Sequence, residues 1–115
     1  MEFTKTISVL RSLKFPLGSE AECQQAMAKA FLQEGLKYTK EYRFDAQNRI
    51  DFFGEGVGIE VKIKGRAKSI LAQCERYCAF EELKVLIVAT NRALGLPYFL
   101  NDKPVYIINL GRSWL

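Results

Sequence analysis

Histidine is absent from this chain of 115 residues. With it go the usual general base, the Ser-His-Asp and Cys-His nucleophile arrangements, and most zinc sites. Cysteine is scarce: Cys23, Cys74 and Cys78 are three in number, which is the wrong parity for a disulfide framework and too few for a zinc site without imidazoles. Each falls on the apolar stripe of an expected helix, so buried reduced thiols are the reading. No apolar run approaches the length of a membrane span. The N-terminal stretch carries Lys5, Arg11 and Lys14 among scattered apolar residues and lacks the compact apolar core and cleavage site of a signal peptide. Internal repeats, linkers and low-complexity segments are missing as well. The expectation is a soluble, intracellular (cytoplasmic) protein with no membrane partner, built as a single domain over 1–115 with its core at about 19–110.

What is present suffices for one core, at 49% hydrophobic residues. The charges inside apolar segments need a reason. Ile59, Val61 and Ile63 alternate with Glu60 and Lys62, the period of a strand, so the acid and the amine share one face. Upstream, Ile50 and Phe52 alternate with Asp51 in the same manner. Gly54-Glu55-Gly56-Val57-Gly58 is a glycine-rich turn that folds the two runs into a hairpin and brings Asp51 beside Glu60. Two carboxylates and a lysine at the ends of neighbouring strands are what a hard, oxygen-seeking cation and an attacking water require.

The flanking segments read as helices. Ser19 to Gly35 has good helix formers and a terminal glycine, and Ser19 with Glu22 forms a capping box in which Glu22 reaches back to the Ser19 amide. Glu20 has no such role. It shares a stripe with Cys23, Met27 and Phe31 or Ala30, the face that meets a sheet, so its carboxylate either points inward or complements the helix dipole from the solvent side. Lys68 to Phe80 is a second helix with the stripe Ile70, Leu71, Cys74 and Cys78, bordered by Gln73 and a half-buried Tyr77. Tyr42 to Phe44 starts a first strand, Asp45 to Asn48 turns, and Val85 to Ala89 and Val105 to Leu110 read as strands covered on both faces. Residues 3–15 allow two readings: a strand over Thr4 to Leu10, or a helix on Leu10, Leu13 and Leu17.

Asp51, eight residues, then Glu60-Val61-Lys62 resembles the signature of the PD-(D/E)xK, or restriction-endonuclease-like, nuclease superfamily, with Ile50 where the motif's name has proline. Gln73-Cys74-Glu75-Arg76-Tyr77 matches the Gln-x-x-x-Tyr element that follows the Glu-x-Lys strand in several of its families. The small size is similar to stand-alone VRR-type nucleases and to resolvase-like members from phage or prophage. The resemblance spans roughly Ser19 to Ala89 and implies an α/β fold with an α-β-β-β-α-β core, a mixed central sheet flanked by helices. It implies Mg²⁺, with Mn²⁺ able to substitute, on Asp51, Glu60 and the Val61 backbone carbonyl. Glu20 completes or water-bridges the shell, and Lys62 positions the attacking water. The implied activity is a deoxyribonuclease that leaves a 5′-phosphate and a 3′-hydroxyl.

Under that resemblance Lys64, Arg66 and Lys68 lie where a phosphodiester must run, and otherwise they are a solvated strand end. The net charge of +4 suits structured or duplex DNA as partner. A junction-cutting enzyme would need a homodimer. Two other readings stay open: a non-catalytic nucleic-acid-binding or complex-forming protein on an inherited nuclease fold, and an unrelated domain whose Asp51, Glu60 and Lys62 form a buried ion network. Glu41, Tyr42 and Glu55 lie near the hairpin, with no argument that adds them to the set.

Overall fold

Helical periodicity wins at the N-terminus. In the computed structural model, which describes residues 3–111, Phe3–Ser12 is a helix, α1. Residues 1–2 and 112–115 of the expected domain lie outside the described residues. The strand over Thr4 to Leu10 is overturned, because Thr6, Val9 and Leu10, at helical offsets, are the buried set, whereas a strand would send Val9 and Leu10 to opposite faces. Leu13, grouped with Leu10 in the helical reading, lies past the helix end and is exposed.

Helix α2, Glu20–Gln33, starts where its cap dictates: the Ser19 hydroxyl accepts the Glu22 amide at 3.1 Å. The reciprocal half differs from the capping box, since Glu22 Oε1 accepts the Ser19 hydroxyl at 3.2 Å and not its amide. The helix ends in a Schellman turn. Gly35 takes φ +71°, and the Leu36 amide reaches back to the Phe31 carbonyl at 2.8 Å, a conformation glycine adopts without the strain a Cβ brings.

The strands are β1 Thr39–Arg43, β2 Arg49–Gly54 and β3 Val57–Lys62, then β4 Val85–Thr90, β5 Phe99–Leu100 and β6 Lys103–Asn109; helix α3, Ala67–Cys78, lies between β3 and β4. They form a six-stranded mixed sheet in the order β1-β2-β3-β4-β6-β5. The first three strands run antiparallel, β3, β4 and β6 run parallel, and β5 returns antiparallel to β6. The run from α2 to β4 has the expected element order. The β2–β3 turn is tighter than the five-residue stretch suggested: Gly54 pairs with Val57, and Glu55 and Gly56 both take positive φ, 50° and 82°, as a two-residue type I′ hairpin loop demands.

Each face of the sheet carries its own core. Helices α1 and α2 cover Phe52, Val57, Ile59, Val61, Ile87, Ala89 and Ile108. Helix α3 covers Ile50, Leu86, Val88 and Val105. Strand β4 is therefore apolar from Val85 to Ala89 and ends on buried Thr90, the near-continuous apolar run of a central parallel strand. Strand β6 is not covered on both faces as its sequence suggested, since Tyr106 and Ile107 are exposed. Only two-residue β5 lies beyond it, and α1 reaches it through Phe3 on Tyr106 at 5.0 Å between ring centroids.

Candidate functional site

The site forms where β2 and β3 part. Their ladder runs Gly54 to Val57, Phe53 to Gly58 and Phe52 to Ile59, and stops. Phe52 belongs to the core under α2, 5.2 Å from the Phe31 ring, while Ile50 belongs to the core under α3. These two residues were expected on one face. They lie on opposite faces because β2 turns over at Asp51. On β1 the residue opposite, Glu41, is missing from the pairing register and takes φ 55°. Strand amides in a covered sheet need partners, and here carboxylates supply them. The Val61 amide donates to Asp51 Oδ2 at 2.7 Å, and the Asp51 amide donates to Glu60 Oε1 at 3.1 Å.

Asp51 and Glu60 therefore sit side by side, as the hairpin predicted. Glu60 is 3% exposed. Its Oε2 lies 3.2 Å from Lys62 Nζ and 3.3 Å from the Tyr77 hydroxyl. Burial first, and then the charge of Asp51, push Glu60 up to about 8, against the pull of Lys62. Burial likewise raises Asp51, opposed by the Val61 amide and by Lys62. Two acids that resist ionising in each other's presence form a pair that a cation relieves, and Lys62 is the one cation touching Glu60 among the described residues.

Helix α3 locks this pair. Tyr77 is fully buried, not half-buried as expected, because it packs against the sheet face from which Glu60 projects, and its hydroxyl donates to the Arg49 carbonyl at 2.6 Å. Gln73, one turn earlier, donates to that hydroxyl at 2.8 Å, so the i, i+4 pair does share one pocket. Burial, then the charges of Glu60 and Asp51, hold the phenol far above its usual range. The neighbouring thiols are held protonated too: burial raises Cys74 to about 12 and Cys23 to about 11. Neither is a nucleophile near neutral pH.

Glu20 points inward from the first turn of α2, and its Oε2 accepts the amides of Ile63 at 2.9 Å and Lys64 at 3.2 Å. It caps the end of β3, and its charge is felt at Asp51 and Cys23. It does not join the other two acids in a cage: among the described residues, no three His, Cys, Asp or Glu side chains are grouped to hold a metal ion. Oxygen donors of the kind a hard cation takes are thus present as the Asp51–Glu60 pair, which suffices for an ion that keeps several waters. Lys64 and Arg66 are exposed on the β3–α3 connection, and Lys68 is exposed in the first turn of α3. Of the residues beside the hairpin, Glu41 pairs with exposed Arg49 at 3.2 Å, and Tyr42 donates to Glu82 at 2.6 Å. Sequence reasoning missed Arg92, whose guanidinium hydrogen-bonds the Gly65 carbonyl and pins that same connection; its position just past the end of β4 was the available signal.

Among the described residues no helix is long and apolar enough to cross a membrane. Comparison with known protein families, with curated proteins and with solved structures finds no match.

Proposed function

We propose that this chain is a metal-dependent nuclease of the PD-(D/E)xK kind, with a restriction-endonuclease-like core, that hydrolyses phosphodiester bonds in DNA. The observation that carries the reading is the Asp51–Glu60–Lys62 cluster: two carboxylates withdrawn from water, an ammonium 3.2 Å from one of them, all at the point where two strands separate. Burying such a group costs several kcal/mol per ion, and a purely structural hairpin would be more stable with apolar residues there. The element order from α2 to β4 and the Gln73–Tyr77 pair support the same reading, as does the basic β3–α3 connection.

In this reading Asp51 and Glu60 would hold Mg²⁺ or Mn²⁺, with the Val61 carbonyl as a further donor and Glu20 reaching it through water. The chemistry such an ion would supply there is a water of lowered pKa and a polarised phosphoryl oxygen. The residues do the rest. Tyr77, fixed by Gln73 and the Arg49 carbonyl, holds Glu60 in one orientation. The Lys62 ammonium orients the attacking water and stabilises the negative charge that builds on the phosphorus-bound oxygens. Lys64, Arg66 and Lys68 neutralise phosphates of the bound strand. The products carry a 5′-phosphate and a 3′-hydroxyl.

One observation favours a second reading, non-catalytic nucleic-acid binding on an inherited nuclease fold: Glu20 is engaged with the backbone, and among the described residues no three-acid group exists. A cleavage assay separates the two. Linear duplex, single-stranded, flap and four-way-junction DNA are incubated with Mg²⁺ or Mn²⁺, with EDTA and Lys62→Ala as controls. Cutting that needs the metal and is lost in Lys62→Ala supports the nuclease. Failure to cut any substrate in either metal, with binding intact, leaves the second reading.

A further inference from the structure

The parallel strands lead from the acid pair toward a second feature. Lys62 is the register partner of Thr90, and Thr90 of Asn109. The three stand in a row across the C-terminal ends of β3, β4 and β6, about 10 Å from first to last at the usual strand spacing. Beside Asn109 opens a cleft of about 560 Å³ walled by Arg11, Arg92, Leu94, Leu96 and Ile107, and none of the described residues that line it is acidic. Its volume is that of a small-molecule site, not of a duplex groove. Arg92 reaches the Gly65 carbonyl, so the cleft continues the basic surface of Lys64, Arg66 and Lys68. On its other side Leu96 and Ile107 also wall a smaller cleft, of about 380 Å³, together with Tyr98, Phe99 and Tyr106. Tyr98 is 84% and Phe99 64% exposed, and large rings left this open in a row mark a surface with a partner.

Arginines without a carboxylate between them ask for an anion, and flat apolar rings beside them ask for flat apolar faces. An unpaired nucleotide strand offers both at every repeat, and a duplex hides the faces of its bases inside the stack. We propose that this edge carries a single-stranded segment of nucleic acid. A phosphate sits at Arg11 and Arg92, and successive bases lie against Leu96 and Ile107 and on Tyr98 and Phe99. The row from Asn109 to Lys62 is only a few nucleotides long, so the strand leads into the Asp51–Glu60–Lys62 site. The preferred substrate is then a free strand or a duplex with an unpaired arm. Where the strand leads rests on the nuclease reading; that it binds here rests on the arginines and rings.

Fluorescence anisotropy in EDTA tests this without cleavage, using a labelled short single-stranded deoxyoligonucleotide and the blunt duplex of the same sequence. The strand is expected to bind more tightly than the duplex. Tyr98→Ala and Phe99→Ala should each weaken strand binding about tenfold, as loss of one stacked base does, and leave duplex binding unchanged. Arg11→Ala should lower the slope of log affinity against log salt by about 0.7, one phosphate's worth on a single strand. All three side chains are exposed, and a thermal melt checks that each variant folds. Equal affinity for strand and duplex overturns the proposal, as does full strand affinity in the Tyr98→Ala, Phe99→Ala double variant. A dimer that Phe99→Ala dissociates without touching strand binding overturns it as well, by showing that a second copy covers the rings. Cleavage by the wild type alongside any of these results sinks the strand path and leaves the nuclease. Ring-dependent strand binding by a protein that cuts nothing supports the path and sinks the nuclease.

Discussion

The two halves of the β2–β3 hairpin obey different rules. Around the loop, from Phe52 to Ile59, the backbones pair in register, and Val57, Gly58 and Ile59 are buried. From Asp51 and Glu60 outward the two backbones no longer pair, and carboxylates bond the amides they leave. The closed half is what apolar burial and the pleat produce unaided. The open half gives up strand pairing and withdraws two acids from water, a loss of stability that a structural role does not repay. One hairpin thus separates the residues that hold the sheet together from those placed to do chemistry, and the separation falls between consecutive residues, at Asp51 on one strand and Glu60 on the other.

Lys62→Ala breaks the open half with the largest effect expected. Cleavage should fall by about 10²–10³, the usual cost of removing one group that stabilises transition-state charge, measured as initial rates on the best substrate. Folding should survive, because Glu60 takes up a proton where its partner is lost. If Lys62→Ala instead unfolds the chain, the cluster is a structural ion network and the contrast between the halves disappears. The closed half is broken by Gly58→Ala. A Cβ built there lies 2.6 Å from Leu83 Cδ1 and 2.7 Å from Ile50 Cδ1, both fully buried side chains. Overpacking of that kind costs about 1–3 kcal/mol, read from urea unfolding, with cleavage by the folded fraction unchanged.

Much of the fold around the hairpin was legible in the sequence. The Ser19 cap, the Gly35 stop and the continuous run of β4 are local signals, and local signals survive into the fold. So did the alternation of Glu60 and Lys62, whose i, i+2 spacing places them on one face wherever the strand lies. The inversion at Asp51 was hidden, because the doublet Phe52-Phe53 supplies an apolar side chain to either face and masks the break in alternation. Tyr77 follows Ile70 by seven residues and Cys74 by three, so it belongs to the buried stripe of α3, and its full burial was legible in the helical spacing. The stripe with Cys23 and Met27 left Glu20 either inward or at the helix dipole, and its contact with the Ile63 and Lys64 amides depends on where β3 ends. The cleft of Arg11 and Arg92 joins residues far apart in sequence and is set by tertiary packing alone.

Tyr77→Phe sharpens the comparison with a smaller effect. It removes the hydroxyl that donates to the Arg49 carbonyl at 2.6 Å and accepts from Gln73 at 2.8 Å, leaving a buried carbonyl and one oxygen of Glu60 with fewer partners. The cost should be about 1–2 kcal/mol in urea unfolding. Cleavage should fall as well, since Glu60 loses the contact that orients it. A loss of stability with cleavage untouched would make Tyr77 a core residue only, and would move the boundary of the open half to exclude α3.

The smallest effect is in the pH dependence of the metal-free protein. A salt-bridged carboxylate ordinarily lies low in the folded state and stabilises it as pH rises. Glu60 is the reverse. Burial and the charge of Asp51 raise it from 4.5 to about 8, so between those values the folded chain holds a proton that the unfolded chain has released. Stability from this group is full below the unfolded value and declines as pH rises toward the folded one; Asp51, also raised, acts in the same direction. In EDTA, Tm should therefore fall as pH rises through that window. Glu60→Gln, which never ionises, should flatten the decline, and Mg²⁺ added at the alkaline end should restore Tm in the wild type and not in the variant. A wild-type Tm that is level across the window would mean that Asp51 and Glu60 are not held together out of water, and the open half would then be no more than a frayed strand end.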